Sequence, residues 1–332
     1  MPRERRIKDA EIPARAVEVE TDIAEEEVLD PLFEIRLGQR SPMEVMSNAA
    51  ITLERVRVGA QVRLKHLGKR GGTCPYTIEL LERAQQFEAW ADTSLARLVR
   101  THPTAHWITR VKGTGGEAIG KVLGHIDNFG RFYEEGDPII PPYVNRPAVE
   151  ADGKQLIWVE GIERFSTPSK LHKYAGLVEG MKREPGKPMG YNNELRSMLF
   201  RLGTSLLKAK GKFYEFYLNY KRHLLARLGR EGMSVLPTPM SRFCATCRKE
   251  VKLKSARFCP DCGNPLSKKD EPENILWEGH VHMMCMRRMI KLFLDCFWAV
   301  YREVKGLPLR VPYPIEHLGH STVITAWDMV DR

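Results

Sequence analysis

Four of the seven cysteines fall in two pairs, Cys244-x-x-Cys247 and Cys259-x-x-Cys262, with eleven residues between the pairs. Two residues between thiols let both bind one ion from a tight turn, and two such turns complete a tetrahedral shell. Zn²⁺ is the expected ion; a redox dithiol or an iron–sulfur cluster is the alternative use. A closed four-thiolate site leaves no position for substrate, so its expected role is structural. Zinc contributes roughly 10–16 kcal/mol to modules too small to bury a core. Arg-Phe-Cys occurs at Arg242 and again at Arg257, so the segment repeats itself. Arg242, Lys249, Lys252, Lys254, Arg257, Lys268 and Lys269 surround it. A basic zinc ribbon suits nucleic acid, with a partner protein as the other candidate.

The run Lys112-Gly113-Thr114-Gly115-Gly116, continuing through Lys121, reads as the second half of a helix-hairpin-helix. Glycines let the chain turn tightly and come close to a phosphate, whose oxygens the free N–H groups of a new helix can bind. Such contacts follow the sugar-phosphate chain and not the base sequence. The same string can also be an ordinary helix cap. Between Met181 and Arg230 there are twelve bases and three acids. Lys182, Arg183 and Lys187 lie in a loop, Arg196 and Arg201 follow Asn193, and Lys208, Lys210 and Lys212 cluster further on. Each phosphate neutralised releases counterions, so binding through these groups is expected to weaken steeply with salt.

The segment Ile162-Glu163-Arg164-Phe165-Ser166-Thr167-Pro168-Ser169-Lys170-Leu171-His172-Lys173-Tyr174-Ala175-Gly176-Leu177 resembles the RF-x-S-x-x-x-L-x-x-Y-x-GL segment of insertion-sequence transposases of the IS-one-ten type. The resemblance is to their C-terminal, transposase-twenty domain. The order of parts also matches. The glycine hairpin comes first, then this segment, then Gly190-Tyr191-Asn192-Asn193-Glu194-Leu195-Arg196, where the family has Gly-Asn-x-x-Leu-Arg. Met286-Arg287-Arg288-Met289-Ile290 resembles the closing helix. The likeness runs from about residue 108 to 304, minus a Pro-rich insert and the cysteine insert.

It implies a helix-hairpin-helix scaffold that grips DNA. Nucleic-acid contacts are expected from Lys112, Gly113, Thr114, Gly115, Gly116, Lys121, Lys182, Arg183, Lys187, Asn193 and Arg196. Two departures bear on catalysis. Residues 1–107 show no apolar strand carrying the acids of the family's Mg²⁺-holding nuclease domain, so Mg²⁺ is not expected. The family's serine nucleophile has no counterpart between Val178 and Gly190, which leaves only Tyr191, and a phenol with a pKa near ~10 is a poor nucleophile without a base.

The expected function is nucleic-acid binding in transposition or recombination, without catalysis by this chain alone. The ligand is DNA, with structured RNA as the other candidate. One alternative is an active recombinase with a displaced nucleophile or a partner nuclease subunit; another is a zinc-containing assembly factor. Oligomeric state is left open.

Several residues invite chemistry and are expected to do none. Phe213, Tyr214, Phe216, Tyr217 and Tyr220 have the spacing of a buried helix face. His280-x-His282-x-x-Cys285 lies on a Met-rich helix and reads as packing, and Cys285 and Cys296, about three turns apart, can both face the core. Ser166 and Ser169 read as residues that cap or precede the helix around Leu171. His317 and His320 in the tail have no visible partner, and Cys74 stands apart from the cysteine pairs.

These groups need a scaffold. The expected class is mainly α: a helix-hairpin-helix-containing domain with a small inserted four-cysteine zinc ribbon and a charged N-terminal arm. A charged arm covers 1–40, with eight acids and no base between Glu18 and Glu34. A basic segment and a helix cover 41–107. Its part from Arg55 to Gly72 reads as a phosphate-tracking loop with a short strand pair, because Val56, Val58, Val62 and Leu64 fall at even spacing. The helix spans about Pro75–Val99. The transposase-like helical domain covers 108–235 and 275–310, with an insert at about 128–160 that includes a hairpin at Ala151-Asp152-Gly153. A helix from about Asn193 to Leu228 is expected to kink near Gly211, and another spans about His280–Val304, with Met284, Arg288, Leu292, Cys296 and Val300 on one side. The ribbon covers 240–270 and a tail covers 311–332.

The chain has 332 residues and a net charge of +10, a balance that favours a polyanionic partner. The run Leu292–Tyr301 is interrupted by Asp295 and falls short of the roughly 18–20 apolar residues a membrane span needs. The first residues have no apolar core, so no secretory signal is expected and the location is expected to be cytoplasmic, at the nucleoid.

Overall fold

The computed structural model describes residues 41–127, 131–137, 140, 142, 144, 146–151, 153–181, 186, 188–239, 241–251, 257–266, 271–309 and 324–331. The charged arm, Lys182, Arg183, Lys187, Lys252, Lys254, Lys268, Lys269, His317 and His320 lie outside the described residues.

The first two helices, α1 (Pro42–Gly68) and α2 (Pro75–Thr101), pack on one another. Ser41 starts α1: its hydroxyl accepts the Glu44 N–H at 3.2 Å, and Pro42 occupies the first turn. This helix overturns the loop-and-strand expectation over residues 55–68, while 69–72 form a turn. The valines at even spacing mark no buried face, since Val56, Val58 and Val62 are exposed. Beyond Met43 and Glu44 in the first turn, the buried positions are Ser47, Ala50, Ile51 and Ala60, mostly small residues.

A short helix α3 (Ala105–Ile108) leads through the glycine turn into α4 (Gly116–Asp127), which packs on both α1 and α2. That closeness needs residues without side chains. A Cβ on Gly120 would lie 2.4 Å from Leu95 Cγ, and one on Gly124 would lie 2.2 Å from Ser47 Cβ.

A three-stranded antiparallel sheet follows, in the order β1 (Arg131–Glu134), β3 (Lys154–Val159), β2 (Val149–Ala151), with the hairpin at the expected place. A 3-10 turn (Gly161–Arg164) and α5 (Pro168–Tyr174) form the Arg-Phe-Ser segment. Thr167, not Ser166 or Ser169, caps α5 by accepting the Lys170 N–H. Tight clamping holds this segment to the core: the Phe165 carbonyl accepts from Trp298 Nε1 at 2.6 Å and from the buried Arg302 at 3.3 Å.

The expected long helix is two helices, α6 (Asn193–Ala209) and α7 (Lys212–Arg230). Lys210 between them is left-handed at φ 52°, so the axis breaks there and does not merely kink. Helix α8 (Glu278–Val304) runs through the main core. Its buried side is formed by Cys285, Met289, Phe293, Cys296, Phe297 and Val300, with Arg288 exposed. Phe213 and Tyr217 are buried and Phe216 and Tyr220 pack against the core, so the aromatic stripe is mostly interior.

The cysteine segment leaves the helical body through β4 (Ser234–Leu236) and returns through β7 (Ile275–Trp277), which pair in parallel. Between them β5 (Arg242–Cys244) and β6 (Lys249–Val251) form a hairpin. Among the described residues no helix is long and apolar enough to cross a membrane.

Candidate metal centre and nucleic-acid interface

Two turns build the cysteine site. Each Cys-x-x-Cys ends in a left-handed residue, Arg248 at φ 50° and Gly263 at φ 72°, which lets the chain fold back under its own thiols. The Cys247 N–H donates to Cys244 Sγ at 3.4 Å, and Asn264 Nδ2 ties the two turns together by donating to Thr246 Oγ1 at 2.6 Å. Lys249 pairs with Asp261 across them. The four Sγ atoms lie within 4.8 Å of one another. The Cys247 N–H pulls the Cys244 thiol down to about 7, while the neighbouring thiols, Cys262 foremost, push Cys247 up to about 12. One thiolate therefore forms easily and opposes the next. Four thiolates at this spacing need a cation among them, and the donor set can hold a metal ion.

The module's own core is small: Cys244, Val251, Cys259 and Leu266. The repeated Arg-Phe-Cys triplets play different parts. Phe243 is buried against Trp277, with ring centroids 4.9 Å apart, whereas Phe258 is largely exposed beside exposed Arg257.

The glycine turn faces outward. Thr109, Val111, Lys112, Gly113, Thr114, Gly115 and Ala209 line a surface concavity of about 370 Å³. Thr114 Oγ1 donates within the turn, to the carbonyls of Ile108 and Val111 at 2.7 Å. Gly113 has φ +93°, and a Cβ on it would lie 2.8 Å from Leu206 Cα. Its glycine therefore serves close contact with α6, while Gly115 meets nothing within 4 Å. This contact brings Lys112 beside the α6–α7 break, where Lys208, Lys210 and Lys212 are exposed. The Lys112 and Lys212 backbone N–H groups are close enough to donate to the two oxygens of one carboxylate, Asp331, at 2.7 and 2.8 Å.

Other expected contacts lie elsewhere. Lys121 is buried at 3% side-chain exposure, its ammonium 2.8 Å from Glu117, 3.4 Å from Asp92 and 3.5 Å from Glu54. Burial lowers its pKa, but Glu117, Asp92 and Glu54 together outweigh that and raise it. It is an internal charge clamp joining α1, α2 and α4, and it is withdrawn from the phosphate-facing set. Arg201 joins the same cluster through Glu54 at 2.6 Å. Arg196 stacks on the Tyr191 ring, 5.4 Å from its centroid, and that ring abuts Gly176. Asn193 is exposed in the first turn of α6, while Asn192 caps that helix by accepting the Leu195 N–H at 2.9 Å.

The remaining candidates have local partners or are buried, except that His280, expected to pack, is exposed in an ion pair. His282 Nδ1 meets Tyr217 Oη at 2.7 Å, His280 meets Glu271 at 2.6 Å, and Cys285 and Cys296 are buried. A relay not read from the sequence links Thr104 Oγ1 to His102 Nδ1 at 2.7 Å and His102 Nε2 to Asp127 at 3.0 Å. It has the order of a nucleophile, base and acid, but Thr104 is fully buried, and Tyr301 donates to the same Asp127 at 3.0 Å. No substrate reaches that hydroxyl, so the relay fastens α4 to α8. Comparison with protein-family models, curated proteins and solved structures finds no match to this chain.

Proposed function

We propose that this chain is a nucleic-acid-binding protein that grips a sugar-phosphate backbone at the glycine turn, related to insertion-sequence transposases and acting with other components in transposition or recombination. One observation carries the reading. Lys112 and the Lys208–Lys212 cluster, about a hundred residues apart in sequence, meet at the outward-facing turn, where one backbone N–H of the turn (Lys112) and one from the start of α7 (Lys212) already hold an anionic group. Lysines supply long-range attraction, and the amides supply direction. The four-cysteine module fits a structural Zn²⁺ ribbon, whose exposed Phe258 and Arg257 suit stacking on a base and pairing with a phosphate. The reading assigns no catalytic step to Tyr191.

The test is an electrophoretic shift with duplex DNA and with structured RNA across a salt series. The expected outcome is binding that weakens by roughly 10³-fold or more between about 50 and 200 mM salt if several phosphates are neutralised. No binding at low salt, or tight binding indifferent to salt, removes the reading.

A further inference from the structure

The anionic group at the glycine turn belongs to the protein. Residues 324–331 return from beyond α8 and dock beside the turn. Ala326 and Met329 are buried, and the Ala326 carbonyl accepts from Trp107 Nε1 at 2.9 Å. Trp327 sits against the His106 ring, with the Arg110 guanidinium 5.9 Å over its own ring. The Asp331 N–H donates to the Arg110 carbonyl at 2.9 Å. Thus anchored, the Asp331 carboxylate takes one N–H from Lys112, at the opening of the turn, and one from Lys212, at the start of the 19-residue helix α7. Gly211 makes the room: a Cβ there would lie 2.6 Å from Asp331 Oδ1.

Two amides from different elements, an adjoining helix N-terminus, flanking lysines and a glycine floor are what a phosphate oxygen pair requires. A carboxylate presents two oxygens in a similar fork.

We infer that Asp331 is an internal competitor for backbone phosphate. The docked C-terminal segment fills the amide pair in the free protein and is displaced when a phosphodiester enters. This inference rests on the proposed function and adds its regulation. Binding is then weakened by the fraction of molecules in which the segment is docked. The concavity beside the turn, lined by Lys112 and Gly115, is the route by which the strand approaches.

The test uses the full chain and a duplex of random sequence, with a structured RNA of equal charge as a second arm. Asp331→Ala is expected to tighten binding about tenfold or more in whichever arm the wild type binds. Glu82→Gln removes an equal charge from the exposed side of α2, away from the amide pair, and is expected to change binding by less than about fivefold, the range of an exposed charge. Amide hydrogen exchange of wild-type residues 324–331 gives a readout without mutation. Their protection is expected to fall when nucleic acid is added. It also decides the matter should Asp331→Ala not fold. Equal effects of the two substitutions, or protection of 324–331 unchanged or raised by nucleic acid, overturn the inference while leaving the proposed function standing. Failure of the wild type and of Asp331→Ala to bind either probe overturns both.

Discussion

Replacing Lys121 by methionine keeps the length of the side chain and removes its charge. Three carboxylates then share the junction of α1, α2 and α4. Arg201 still holds Glu54, and Glu117 is half exposed and can turn to water. Asp92 has the least relief, with no arginine hydrogen-bonded to it and a side chain 22% exposed. Its Oδ1 is sealed from solvent without a hydrogen bond, and Lys121 is the ammonium beside it at 3.4 Å. Breaking a buried pair from one side costs about 3–5 kcal/mol, because the other charge is left uncompensated. The expected loss in urea unfolding at pH 7 is therefore about 3 kcal/mol or more. Burial already raises the Asp92 pKa despite Lys121. Without the ammonium it rises further, so the folded variant binds a proton more readily than the unfolded chain. Its stability relative to wild type must then recover as pH falls from 7 towards the carboxylate range. Lys121→Met with Asp92→Asn is expected to regain much of the loss. Nucleic-acid affinity, measured where the variant is folded, is expected to stay unchanged. A stability loss under ~1 kcal/mol, or a large loss of affinity in folded protein, refutes the burial argument.

Gly113→Ala meets both a positive φ and the α6 backbone, so it is expected to destabilise by about 2–4 kcal/mol in urea unfolding, whereas Gly115→Ala changes stability by less than about 1 kcal/mol. Phe293→Ala removes a fully buried ring in contact with Trp107 and Phe213, for an expected loss of about 3–5 kcal/mol. Chelation is expected to release one metal ion and unfold the cysteine module while circular dichroism of the helices persists, because the module's core is separate from the main one; loss of all helix signal contradicts this. Burial raises the Glu54 pKa, but hydrogen bonds and charge from Arg201 and Lys121 outweigh it and leave a net lowering. This contribution to stability is present above the ordinary value of 4.5 and is lost as pH falls below it, which acid titration followed by urea unfolding checks.

The four-cysteine cluster was legible because its chemistry is local: two Cys-x-x-Cys turns need no distant partner. Helix α2 and helix α8 were legible from apolar spacing, and the hairpin at Ala151 from its turn residues. Helix α1 was not, because alanine and serine interrupt its buried stripe, leaving Met43 and Ile51 as its buried large apolar residues, while its valines face water; the signal that marks it is the cap Ser41-Pro42 with Glu44. Lys121 and Lys112 look alike in sequence. Their fates part because α4 packs into α1 and α2 through Gly120 and Gly124, which carries Lys121 inward among carboxylates. The tie between Lys112, Lys212 and Asp331 joins three distant positions through one carboxylate, and no spacing rule exposes it. The Thr104–His102–Asp127 relay was hidden for the same reason.

The central claim is that the lysines flanking the glycine turn meet phosphates. Its most direct test is the salt dependence of duplex binding for the wild type and for Lys112→Gln with Lys210→Gln and Lys212→Gln. If each lysine neutralises one phosphate, the slope of log affinity against log salt becomes shallower by about 2–3. An unchanged slope and affinity in the triple variant contradict the account.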